Sequence, residues 1–199
     1  MPSIYQIKPA FQRRLRPVCG LLHRGGISPN TITTTTLLAS AAMGLWLCTG
    51  SRVSCLSLPV FLFVRMAADA LDGMIAMEFN LCSPSGTLLN EVADVAADAV
   101  LYLPFALLPG VTPFLPVAAV VLAMVSEQAG VAAVLIGVPR RSEGPMGKSD
   151  RAFAFGACGL ARGLGLTSPI IWSAIFAVII GLLLLTIFNR CRNAVKEAT

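Results

Sequence analysis

RMAADALDGMIAMEFNLCSPSGTLLNEVADVAAD, residues 65–98, lies within some of the most apolar sequence of the chain, yet it carries Asp69, Asp72, Glu91, Asp94 and Asp98. A carboxylate at the centre of a membrane span costs on the order of 3 kcal/mol on insertion scales. Five in one segment need a cationic partner, and their spacing says where they point. Asp69, Asp72, Gly73 and Ala76 are related by steps of three and four residues, which puts them on one stripe of a helix. Gly86, Asn90, Asp94 and Asp98 step by four and form a second stripe. The short 79–85 connection, with Pro84, makes these two helices antiparallel neighbours whose stripes face each other. Two facing rows of oxygen ligands suit a hard divalent cation, Mg²⁺ or Mn²⁺. Gly73, Ala76 and Gly86 remove bulk from the gap, which leaves room for a ligand or lets the helices pack closely. The plainer alternative is a set of acids neutralised by arginine that only ties helices together. Arg65, one turn before Asp69, is the cation for that role, and one arginine does not balance five acids.

The surroundings of this segment are those of a polytopic membrane protein. The chain has 199 residues, of which 56% are hydrophobic and only 13% charged, too apolar a balance for a soluble domain. Apolar stretches of membrane-crossing length recur at roughly 30–50, 55–78, 86–108, 113–137, 151–165 and 168–189. The expected fold is therefore all-α. One integral domain spans 1–199, with an interfacial helix and entry loop over 1–28 and a six-helix transmembrane bundle over 30–189. The fifth span is the weakest, being short and rich in Gly and Ala. The basic N-terminus lacks the apolar core and small-residue cleavage site of a signal peptide.

Net charge is +5, and the placement of the basic residues orients the bundle. Twelve of the fifteen Lys and Arg fall in the N-terminal segment, around the 138–150 loop and in the C-terminal segment. Arg52 and Arg162 fall on the other side. The positive-inside rule puts both termini and the 79–85 and 138–150 loops in the cytoplasm. This distribution suits a membrane surface and not nucleic acid. Ile4, Ile7, Phe11, Leu15, Val18 and Leu22 form one helical face before the first span, with the basic residues mostly away from it. Such a segment lies in the headgroup layer, or else packs on the protein as an ordinary amphipathic helix. Ser28 and Pro29 read as N-cap and first residue of the first span. Six cysteines show no C-x-x-C spacing, so a thiolate metal site is not expected. Cys48 and Cys55 flank one outer loop and either pair there or remain free thiols.

The acidic stripes resemble the signature of the CDP-alcohol phosphotransferase family, D-x2-D-G-x2-A-R-x8-G-x3-D-x3-D. Asp69, Asp72, Gly73, Ala76, Gly86 and Asp94 match six of its eight marked positions with all spacings intact. The "SPNTIT" entry to the first span is similar to that family's P-N-x-x-T segment, and the resemblance covers most of the chain. Two positions depart from the pattern: Asn90 stands at the third aspartate and Met77 at the arginine. Asparagine keeps a ligating carbonyl oxygen but removes a charge, which Asp98 or Glu91 would have to supply.

The resemblance implies transfer of a phosphatidyl or other substituted phosphate group from a CDP-alcohol, such as CDP-diacylglycerol, to an alcohol or alcohol phosphate, with release of CMP. It implies Mg²⁺ or Mn²⁺ held by Asp69, Asp72 and Asn90, with Asp94 and Asp98 as further metal ligands, and Asp94 as base. Asn30, Thr33, Gly73, Ala76 and Gly86 would border the CDP moiety. Lys148 and Arg151, at the start of the fifth span, would meet a phosphate on the acceptor, while Arg140 and Arg141 serve there or only fix topology. Glu127 is either another cavity residue or a helix contact, and Arg190 and Arg192 read as a C-terminal interface anchor. The place implied is the bacterial inner membrane, in phospholipid biosynthesis, with membrane lipid as a partner and a homodimer open to it. A catalytically degenerate member, or a transporter lining its path with carboxylates, stands as the alternative.

Overall fold

The structure, a computed structural model, describes residues 8–198, with side chains from residue 11. Its described residues form seven α-helices and no strand: α1 (Lys8–Arg24), α2 (Pro29–Leu47), α3 (Arg52–Glu78), α4 (Pro84–Tyr102), α5 (Phe114–Ala132), α6 (Lys148–Gly163) and α7 (Pro169–Ala198). Short 3₁₀ turns prolong α4 over Leu103–Leu107 and α5 over Ala133–Ile136. Three segments are long and apolar enough to cross a membrane, by length and composition: Arg52–Glu78, Phe114–Ile136 and Pro169–Ala198. The shorter or more polar helices are those that carry Asn30 and Thr33 (α2), Asp94 and Asp98 (α4) and Lys148 and Arg151 (α6).

Helix starts follow local chemistry. Ser28 caps α2 by accepting from the Thr31 amide, with Pro29 at the first turn where no amide proton is needed. Ser83 caps α4 in the same way, accepting from the Gly86 amide, again with a proline at the first turn. The turn between α3 and α4 contains Asn80 at φ 55°, a left-handed conformation that asparagine tolerates better than most residues.

Packing differs from the sequence expectation in one instructive way. α3 packs chiefly on α6 and α2, and α4 chiefly on α2, so α3 and α4 are not close-packed neighbours. They are antiparallel, since Arg65 reaches Asp98 while the later Asp69 shares Lys148 with the earlier Asp94. Ion pairs bridge them, through Arg65 to Asp98 and through Lys148 to Asp69 and Asp94.

The close contact falls instead between α3 and α6. A Cβ on Gly159 would lie 2.9 Å from the Cys55 carbonyl oxygen, and one on Gly163 would meet Leu56 at 2.5 Å. Small residues let two helix backbones approach within the distance that van der Waals packing needs. The glycines that made this span look weak are what seat it. Below this seam, Tyr102 stacks on Phe155 with ring centroids 3.9 Å apart, and Phe105, Trp172 and Phe176 complete an aromatic core.

α1 lies along the second half of α3. Leu15, Cys19 and Leu22 pack on Leu71, Met74 and Ile75, His23 stacks on Phe79, and Arg16 pairs with Glu78 at 3.2 Å. The apolar face thus meets protein. Its register is shifted from the sequence reading: Cys19 is buried, whereas Val18 is 43% exposed. Ile4 and Ile7, expected on the same face, lie outside the described residues. All six cysteines are free thiols, including Cys48 and Cys55.

Candidate active site

The site forms where the second half of α3, the first half of α4 and the starts of α2 and α6 converge. Asp72 is buried, and its Oδ2 accepts a 2.8 Å hydrogen bond from Thr33 Oγ1, which ties α2 to α3. Gly86 lies against Asn30, where a Cβ would come within 2.7 Å of Asn30 Oδ1. Gly73 has the opposite surroundings: a Cβ there would meet nothing within 4 Å, so the α3 backbone is open on this side. Met77, in the place of the family arginine, is 76% exposed.

Asp69 and Asp94 are brought together by a cation from α6. Lys148 Nζ lies 2.5 Å from Asp69 Oδ2 and 2.6 Å from Asp94 Oδ1. The buried Asp69 Oδ2 gains an ionic contact but no hydrogen bond of normal geometry from this arrangement. Among the described residues no three His, Cys, Asp or Glu side chains gather around one point, and the Lys148 ammonium lies between the Asp69 and Asp94 carboxylates. The lysine charge marks a position for positive charge between carboxylates of two helices, and the donors around it are all oxygens. That donor set, with Asp72 and the Asn90 amide on the same faces, fits a hard divalent cation.

Asp98 departs from the expectation that placed it among the metal ligands. It is 5% exposed, and guanidinium groups take both of its oxygens. Arg65 Nη1 donates to Oδ1 at 2.6 Å, while Arg151 Nε and Nη2 donate to Oδ2 at 3.1 and 2.9 Å. A carboxylate held this way on both sides is a strut between α3, α4 and α6. Arg151 likewise departs from its expected place at an acceptor phosphate: it is buried, and besides Asp98 it holds Glu127 Oε1 at 2.9 Å.

Glu127, half-resolved from sequence, is the hub of the neighbouring cluster. Arg151, Arg140 and Arg190 approach it at 2.9, 3.3 and 3.5 Å. Arg140 also pairs with Glu91, so Glu91 faces a cation from the 138–147 loop instead of the Asn90 side of the site. Arg190, read as an interface anchor, is instead 1% exposed and donates to the Ser126, Glu143 and Ser142 carbonyls. α7 continues past residue 189, and Leu183, Thr186, Arg190 and Ala194 form its buried face. That three- and four-residue step is visible in the sequence and would have placed Arg190 inward. Arg190 and Thr186, whose Oγ1 accepts from the Met146 amide, pin the loop that delivers Lys148 and Arg151 to the site.

The chain matches known proteins in sequence and in fold. A family model described as CDP-alcohol phosphatidyltransferase matches residues 26–188. Inner membrane protein YnbA of Escherichia coli (strain K12) is 40% identical over 193 residues, which cover 96% of this chain and 96% of that protein. Mycobacterium tuberculosis phosphatidylinositol phosphate synthase (PgsA1) with CDP-DAG bound has the same fold, with a TM-score of 0.76 at 18% identity over 92% of this chain and 94% of that one. The structure of that synthase with manganese and citrate gives 0.74 at 17% identity, over 89% and 87%. With its acidic stripes on two antiparallel helices and this agreement along nearly its whole length, the chain belongs to the CDP-alcohol phosphatidyltransferase family.

Proposed function

We propose that this protein transfers a phosphatidyl or related substituted phosphate group from a CDP-alcohol, CDP-diacylglycerol in the first instance, to an alcohol, releasing CMP. It does so as one integral domain of the bacterial inner membrane, with six spans, a preceding helix at the membrane surface whose apolar face packs on α3, and both termini and the site on the cytoplasmic side. The observation that carries this reading is Asp69 and Asp94 from two helices meeting at one cation, with buried Asp72 one turn from Asp69 beside the open backbone at Gly73.

In the reaction the acceptor oxygen forms a bond to the phosphorus that bears the lipid. The bond from that phosphorus to the bridging oxygen breaks, and CMP leaves with the electron pair. The hydroxyl proton passes to the Asp94 carboxylate. Asp69, Asp72 and Asn90 would hold a Mg²⁺ or Mn²⁺, which would supply neutralisation of the diphosphate charge. Asn30, Thr33 and Gly86 shape the side where the cytidine lies, and Gly73 and Ala76 let it approach α3. Lys148 Nζ lies between Asp69 and Asp94, with its side chain 30% exposed.

CMP release by the purified protein with CDP-diacylglycerol, Mn²⁺ and a panel of alcohols tests the reading. Turnover is expected, and Asp69→Asn should lower Mn²⁺ affinity at least about tenfold by calorimetry, since it removes an anionic ligand. Unchanged Mn²⁺ binding in that variant would remove Asp69 from the metal site.

A further inference from the structure

The cations around the site are already neutralised by carboxylates of the chain itself. Lys148 is shared by Asp69 and Asp94, and Arg65 and Arg151 close on Asp98. Arg140 is bound to Glu91, and Glu127 holds Arg140, Arg151 and Arg190 together. Arg141, the remaining cation of the loop, pairs with Glu197 of α7. Around the site proper five cations thus face six carboxylates, counting Asp72, for a net charge of one negative.

We infer that the acceptor is an uncharged alcohol and not an alcohol phosphate, and that Glu127 is the residue that sets this selectivity by occupying the arginine cluster. The inference rests on the transferase reading above and narrows it.

A phosphate is recognised by guanidinium donors free to turn toward it, usually two at a time. Arg151 and Arg190 are each 1% exposed, and their donors are spent on Asp98, Glu127 and backbone carbonyls. For a phosphate to take them, Glu127 would have to withdraw and remain buried as an uncompensated charge, which is strongly unfavourable. A CDP donor also brings its own diphosphate charge, which a divalent cation balances only once. A second phosphate would enter a site with no positive charge left over. An uncharged hydroxyl compound needs only hydrogen bonds, which carboxylates and an amide supply as acceptors.

The test uses the full chain in detergent with CDP-diacylglycerol and Mn²⁺, comparing glycerol and inositol with glycerol 3-phosphate and inositol phosphate. CMP release from an uncharged polyol should exceed that from its phosphate by at least about tenfold, and Glu127→Gln should narrow the ratio by raising use of the phosphate. Calorimetry with glycerol 3-phosphate and no donor should show no binding to wild type and measurable binding to Glu127→Gln. Preference of wild type for the phosphate, or its binding of glycerol 3-phosphate below millimolar concentrations, would overturn the inference. The wild-type measurements decide the matter even where Glu127→Gln fails to fold. Absence of CMP with every acceptor would instead overturn the transferase reading, and the calorimetry on wild type would still report whether the arginines are open to phosphate.

Discussion

Asp94 and Asp98 are one helical turn apart on the same stripe of α4, yet their surroundings give them different work. Asp94 faces Lys148, which is partly exposed; Asp98 is locked between two arginines that are themselves buried. Asp94→Asn should therefore fold and melt like wild type but release no CMP. Asp98→Asn leaves Arg65 and Arg151 without a full countercharge and should cost about 3–5 kcal/mol of stability. Thermal unfolding in detergent separates the two, and an Asp98→Asn protein that melts like wild type would refute the strut. The same geometry revises the expectation that Asp98 supplies the charge missing at Asn90. The two positions are about 12 Å apart along the helix axis, and Asp98 is turned to the arginines. Asn90→Asp and Asp98→Asn should then be additive in a double-mutant cycle of CMP release, where a shared metal would make them couple.

At the scale of helices, α6 is the element whose placement matters most, because its first turn carries Lys148 and Arg151. Its position on α3 depends on glycines with unequal room. At Gly156 an added Cβ would sit 3.5 Å from Pro59, an ordinary contact, whereas at Gly159 it would lie 2.9 Å from a backbone oxygen and from Leu58. Gly156→Ala should be nearly neutral. Gly159→Ala should destabilise by about 1–3 kcal/mol through overpacking and should lower activity by shifting Lys148 and Arg151 together. Equal melting temperatures for the two variants would mean that the seam yields. A span that looks poor by hydropathy is thus a well-fitted helix, since close approach to α3 replaces the apolar length it lacks.

Over the whole molecule, exposed thiols offer a direct reading of orientation. Cys48 ends α2 at the far end of the bundle from the acidic site, while Cys82 follows α3 at the site end and Cys191 lies near the end of α7. With the proposed topology, a membrane-impermeant maleimide added to spheroplasts should label Cys48, and should reach Cys82 and Cys191 only after the membrane is opened. Single-cysteine variants make the assignment. Labelling of Cys82 in intact spheroplasts would place the site on the other side of the membrane.

What the sequence by itself determined is what a helix's own period can carry. The all-α class, the approximate helix positions, the cap at Ser28 and the two acidic stripes depend on residues three or four positions apart, and local spacing is enough to orient them. Tertiary structure alone decided which charges meet. Arg65, Asp98 and Arg151 come from three helices, and Glu127 and Arg190 are separated by sixty-three positions. No periodicity links residues so far apart, and a carboxylate on a cavity-facing stripe reads the same whether a metal or an arginine answers it. Arg65 is not the sole answer to the acids of α3 and α4: the balancing cations lie beyond the segment, on α6, α7 and the loop before α6, and only packing brings them in. The same physics separates the helices that hold the stripes. A short link makes α3 and α4 antiparallel, but the fit of glycines on α6 and of α2 between them decides that they stand apart and leave space for chemistry.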